Sequence, residues 1–192
     1  MSTKSPSSKF NPSAAFLKRN AAFKAASKAE KRVLIAKDVL AQLKVGKYAA
    51  DPGNWATVKV PSSDIEKSTE VCTIIDDPRS ECSCCALGAL MLSEIRLNDN
   101  LKVGKVDEDA IYNGEVQIDH NGAGDRLNRY FSDKQLRLME IAFEQGGGSC
   151  QARTEEEFRA EEKYDDDRHE DADARLVKIM KNVVKNGGTF KP

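Results

Sequence analysis

The stretch 81-ECSCCALGALML-92 places three of the chain's five cysteines within four positions and then runs apolar. A zinc site, a redox pair and the wall of a core are the readings it offers. A structural zinc ion needs four N or S ligands, usually as two close pairs. Cys82, Cys84 and Cys85 form only one close group; Cys72 lies ten residues upstream, Cys150 is remote, and His120 and His169 are the only histidines. Cys82 and Cys85 have the C-x-x-C spacing that lowers a thiol pKa at a helix start, but no βαβ pattern precedes them. Free cysteine behaves as a small hydrophobe, so the weight falls on buried structural thiols. Cys82, Cys84 and Cys85 remain the weak metal candidates, and no cofactor is expected.

Ser80 is a capping residue, Glu81 suits a first turn, and apolar residues occupy nearly every side of the segment beyond them, with Gly88 the one breaker. The spacing predicts a buried central helix over 82–95. Working outward, 29–45, 132–145 and 172–186 carry helical apolar spacing. Ser132 and Gln135 form an S-x-x-Q capping box ahead of the second of these, and Asn-Gly-Gly closes the third. Pro52, Gly53 and Pro61 mark a loop around a short extended piece at "ATVKV". Val71 to Ile75 reads as a brief β-prone run. The expected fold is mainly α: a compact helical bundle around a buried central helix, with room for a short β-hairpin.

The 192 residues are 40% hydrophobic and 32% charged, enough for one domain of ordinary size. The net charge of −1 conceals segregation. Residues 1–28 hold Lys4, Lys9, Lys18, Arg19, Lys24 and Lys28 and no acid, whereas 154–174, "TEEEFRAEEKYDDDRHEDADA", is dominated by acids with Phe158 and Tyr164 as its only anchors. The expected organisation is a basic, partly disordered arm over 1–28 and a single helical domain over 29–192 with an acidic insert at 154–174. No run of 18 apolar residues and no secretory h-region occur, which points to a cytoplasmic protein with reduced thiols and no membrane partner.

Catalytic patterns are thin: no G-x-S-x-G, H-E-x-x-H, Walker or dinucleotide-binding motif appears. The acidic run lacks the central glycine of an EF-hand. The arm mixes lysines with three phenylalanines, so Lys18, Arg19 and Lys24 are candidate contacts to an anionic partner or nucleic acid. Tyr48 and Trp55, beside the Pro-Gly turn, are candidate stacking residues, with the plug of a core edge as the alternative.

In order, "IAKDVLAQLKVGKY", "GNW", "CSCCALGALMLSEIR", "FSDKQLRLMEIAFE" and "RLVKIMKNVVKNGGTFKP" resemble small proteins encoded by bacteriophages and some bacteria, over residues 30–192. That group has no assigned activity or site, so no functional residue carries over. The resemblance implies a setting among accessory phage proteins that act on host factors, in the host cytoplasm. The expected function is a non-enzymatic binding protein, a phage-type accessory or anti-defence inhibitor that sequesters a host protein or an anionic ligand. The alternative is a nucleic-acid-associated or virion component that uses residues 1–28.

Overall fold

The computed structural model describes residues 14–60, 69–98, 101, 103, 111–112, 115–118, 125–144, 154–165 and 171–192. The described chain is mainly α, as expected, but the expected hairpin is a five-stranded mixed sheet of order β1-β3-β2-β5-β4. Its strands are β1 (Tyr48–Ala50), β2 (Ala56–Lys59), β3 (Glu81–Cys84), β4 (Ile111–Tyr112) and β5 (Glu115–Gln117). The helices are α1 (Ala14–Ala25), α2 (Lys28–Lys44), α3 (Val71–Asp76), α4 (Ala86–Asn98), α5 (Asp133–Glu144), α6 (Glu155–Asp165) and α7 (Ala172–Lys185). No helix among the described residues is long and apolar enough to cross a membrane.

The cysteine stretch divides. Glu81 to Cys84 form β3 and only Ala86 onward is helix, so the expected 82–95 helix starts four residues late. Alternation gives the reason: Glu81 and Ser83 face outward while Cys82 and Cys84 are buried, the period of two that a half-buried strand requires. β3 pairs in parallel with β1, Tyr48 opposite Cys82, and antiparallel with β2, Ala56 opposite Cys84. α4 lies on the inner face, touches β1, β2 and β3 as well as α1, α2, α3 and α5, and is buried from Ala86 through Leu97.

The run at 71–75, expected to be extended, is helix instead. Val71, Cys72, Ile74 and Ile75 bury against α4, a case of tertiary packing overriding a β-branched preference. The turn that follows it is held by the Lys47 ammonium, which donates to the Asp77 carbonyl and, at 2.6 Å, to that of Ser80.

The first helices explain the basic segment. Residues 1–13 lie outside the described residues, and 14–25 form α1, whose Phe16 and Phe23 are buried. Asn20 Nδ2 donates to the carbonyls of Leu97 and Asn98 at 3.1 and 2.7 Å, satisfying acceptors that the end of α4 leaves open. Ser27 and Glu30 close a reciprocal capping box at the start of α2.

The acidic segment is helical over α6, opened by a second box between Thr154 and Glu157. Its anchors are Ala160 and Tyr164, the latter 5.8 Å from the Phe190 ring, and the ion pair of Glu157 with Arg137. Phe158, expected as an anchor, is 56% exposed, because 157, 160 and 164 define the buried helical face and 158 falls outside it. The box expected at Ser132 is only half made. Ser132 Oγ accepts from the Gln135 amide, but the Gln135 side chain turns to the Phe190 backbone, accepting from its N–H at 2.6 Å and donating to its carbonyl at 3.1 Å.

Candidate functional site

The turn 51–55 must carry the chain from β1 to β2 across the end of β3, which sits between them. That is a span of about 9.5 Å, two strand spacings, and the turn is fastened on every side. Asp51 N–H donates to the Cys84 carbonyl at 2.9 Å, and Cys85 N–H donates to the Asn54 and Trp55 carbonyls at 2.6 and 3.1 Å. Two helices reach in with carboxylates: Asp173 of α7 accepts from Ala50 N–H at 2.6 Å, and Glu144 of α5 accepts from Gly53 N–H at 2.7 Å. On the outer face Ser83 Oγ donates to Asp51 Oδ2 at 2.7 Å, and Asn54 Nδ2 bridges Asp51 and Ser83 at 3.1 and 3.2 Å.

Electrostatics at the junction derive from burial. Cys82 and Cys85 are pushed up to about 12 and about 11 by desolvation, and Cys84 is raised well above its ordinary value by the same cause, with Cys82, Cys85, Asp173 and Asp51 adding repulsion. A thiol held protonated is a poor nucleophile at neutral pH. Along β3, Cys82 and Cys84 are two residues and about 6.6 Å apart, while Cys85 turns to accept from Gly88 N–H at 3.4 Å. Among the described residues no group of three His, Cys, Asp or Glu side chains is arranged to hold a metal ion. Glu144 is raised by burial, with Glu140 and Asp51 adding to the shift and the Gly53 N–H and Arg175 opposing it.

The aromatic pair does not form a platform. Tyr48 is 1% exposed, inside the core, with its hydroxyl 3.4 Å from Ser93 Oγ. Trp55 packs half-buried against the core edge, and its carbonyl oxygen stands where a Cβ on Gly88 would lie, at 1.6 Å. Only glycine permits this approach of turn to helix. The junction is an internally satisfied brace.

The candidate binding surface lies elsewhere, on α1 and α2. Arg19 is half-buried and paired with Asp76, which also accepts from Arg96 at 2.8 Å. Arg96 in turn holds Asp38 at 2.6 Å. Arg19 is thereby drawn into a structural ion-pair chain linking α1, α2, α3 and α4. Lys18 and Lys24 stay exposed on α1. Between α1 and α2 runs an open groove of about 670 Å³ lined by Ala22, Ala25, Ala26, Ala29, Val33 and Leu34 together with Glu30, Lys37 and Gly187. The apolar positions 22, 26, 29 and 33 keep helical spacing across the break at Ser27. Lys18, one turn before Ala22, and Lys44, two turns beyond Lys37, continue the same faces and are exposed. Glu30 keeps its negative charge in the capping box, and set against Lys18, Lys37 and Lys44 it leaves the exposed charge along these faces net cationic.

Sequence reasoning found Lys18 and Lys24 but missed the groove. Its signal was the alanine spacing through 22–29, whose exposure only the docking of Phe16 and Phe23 on the opposite face decides. No family model matches the chain, and no curated protein or solved structure matches it either.

Proposed function

We propose that this protein is a non-enzymatic binding protein that acts by occupying a host protein, and that the partner docks on the α1–α2 groove. The observation that carries the reading is the pairing of an open apolar groove with exposed lysines: Ala22, Ala25, Ala29 and Val33 between Lys18, Lys37 and Lys44. Helix-in-groove recognition uses such a surface, with apolar anchors for affinity and flanking charge for orientation. An accessory or inhibitory role in a phage-infected cell is consistent with it. A photo-crosslinking residue at Ala25 should trap one partner of defined mass in cells, and the same residue at Glu81, on the outer sheet face, should not. Loss of that adduct in an Ala22→Glu/Ala29→Glu background is expected; equal trapping at both positions would refute the groove.

A second reading, association with nucleic acid, is favoured by one observation. α1 carries Lys18 and Lys24 exposed and contains no acidic residue. It requires a salt-sensitive gel shift that Lys18→Glu/Lys24→Glu abolishes. An unchanged shift removes α1 from that role.

A further inference from the structure

The helix with the chemistry to fill the groove belongs to this chain. We infer that the protein self-associates head to tail, with α6 of one copy seated in the α1–α2 groove of a second and Phe158 as the anchor. The inference rests on the reading of the groove as a docking site and names the kind of helix it takes.

Phe158 is 56% exposed, one of three large hydrophobic side chains so placed among the described residues. It sits on an otherwise strongly charged helix, EEEFRAEEKYD, with six acids against two bases. The buried apolar side chains of α6 are Ala160 and Tyr164, and its ion pairs to α5 are those of Glu156 with Lys134 and Glu157 with Arg137. Glu155, which pairs with Arg159 of the same helix, and Glu162 are exposed on the same side, one turn before and one turn after Phe158. An apolar ring bracketed by carboxylates therefore faces outward. The groove presents the inverse pattern: small side chains on α1 and α2, with Lys37 and Glu30 in its lining and Lys18 and Lys44 exposed farther along the two helices, three cations against one anion. Alanines at 22, 25, 26 and 29 leave room for a ring, and the lysines can meet Glu162 directly and Glu155 in exchange for its Arg159 pairing. Aromatic anchors in small-residue grooves with charge at the rim are the usual anatomy of such contacts.

Knob and groove are different surfaces, so each contact is made once in a head-to-tail chain and twice, reciprocally, in a two-fold dimer. A sedimenting mass that rises with concentration, to a dimer or beyond, is the signature. A single-helix interface is small, so the dissociation constant should be on the order of 100 μM.

Sedimentation velocity of the full chain across a concentration series up to about 0.5 mM should show a mass that climbs. Phe158→Ala should remain monomeric, a loss of at least about tenfold in affinity. Ala22→Glu/Ala25→Glu, which places acid in the groove at two exposed helical positions, should do the same. Circular dichroism of both variants reports that they fold. The deciding sample is the mixture: the first variant keeps its groove and the second keeps its Phe158, so together they should form a 1:1 dimer that grows no further. Wild type that stays monomeric to the top of the series overturns the inference. So does a mixture that stays monomeric, because each substitution would then act by another route. Monomeric wild type together with partner trapping at Ala25 would leave the groove reading standing and remove only the self-association.

Discussion

Gly88→Ala should destabilise this protein, where the same change in most helix interiors stabilises by about 1 kcal/mol. The new Cβ would lie 1.6 Å from the Trp55 carbonyl oxygen and 2.7 Å from its carbon, and real Cβ atoms essentially never come within 3.0 Å of such atoms. The carbonyl must therefore retreat by at least 1.4 Å, the difference between those separations. The obstacle is backbone, so no rotamer change relieves it. Retreat breaks the bonds from Cys85 N–H to the Asn54 and Trp55 carbonyls, now 2.6 and 3.1 Å, each worth about 1 kcal/mol. Overpacking adds about 1–3 kcal/mol. Net of the propensity gain, the loss is about 3 kcal/mol, which for a chain of this size lowers Tm by about 6–12 °C. Guanidinium unfolding followed at 222 nm gives the number, and fluorescence of Trp55, the single tryptophan, reports the turn itself. A midpoint equal to or above wild type would refute the account of why residue 88 is glycine.

Glu94→Ala should cost about 3–5 kcal/mol in equilibrium denaturation, since Glu94 is fully buried, accepts from Arg126 at 2.6 and 3.0 Å, and its loss takes the carboxylate away from a buried guanidinium. Adding Arg126→Met should recover part of the loss. In a Cys150→Ser background, native protein at pH 8 should show no fast-reacting thiol, because Cys72, Cys82, Cys84 and Cys85 are all buried and raised in pKa. Ellman titration checks this, with full reaction expected in denaturant. Glu144, raised above 4.5, binds its proton more tightly folded than unfolded. Its contribution therefore favours folding at low pH and becomes a penalty as pH rises from 4.5 through the folded value. Glu144→Gln keeps an acceptor for Gly53 N–H, so it should stabilise at pH 7. Unfolding curves compared across pH should show the advantage fading below about pH 4.

The amphipathic helices were legible in the chain. The apolar spacings over 29–45, 132–145 and 172–186 match α2, α5 and α7 within a residue or two, because 3.6-residue periodicity and caps are local properties. The Glu-Cys-Ser-Cys alternation of β3 was present too, but four residues of it cannot be told from a helix start without knowing that β1 and β2 flank them. The helical state of 71–76 was invisible for the opposite reason, since Val, Ile and Thr prefer strands until α4 supplies a surface for one helical face. At the candidate site, the sequence marked Lys18 and Lys24 but grouped them with Arg19, which Asp76 withdraws into an ion pair. It also grouped Tyr48 with Trp55, although β1 turns Tyr48 into the core.

By itself, then, the sequence determined the helical majority, the burial of α4 and the glycine at 88, each set by side-chain size and spacing along a few turns. Only the tertiary structure decided that β3 is a strand, that Trp55 braces Gly88 and that Ala22 through Val33 line an open groove. Those outcomes depend on which distant segments come to lie beside them, and local periodicity carries no record of a neighbour thirty residues away.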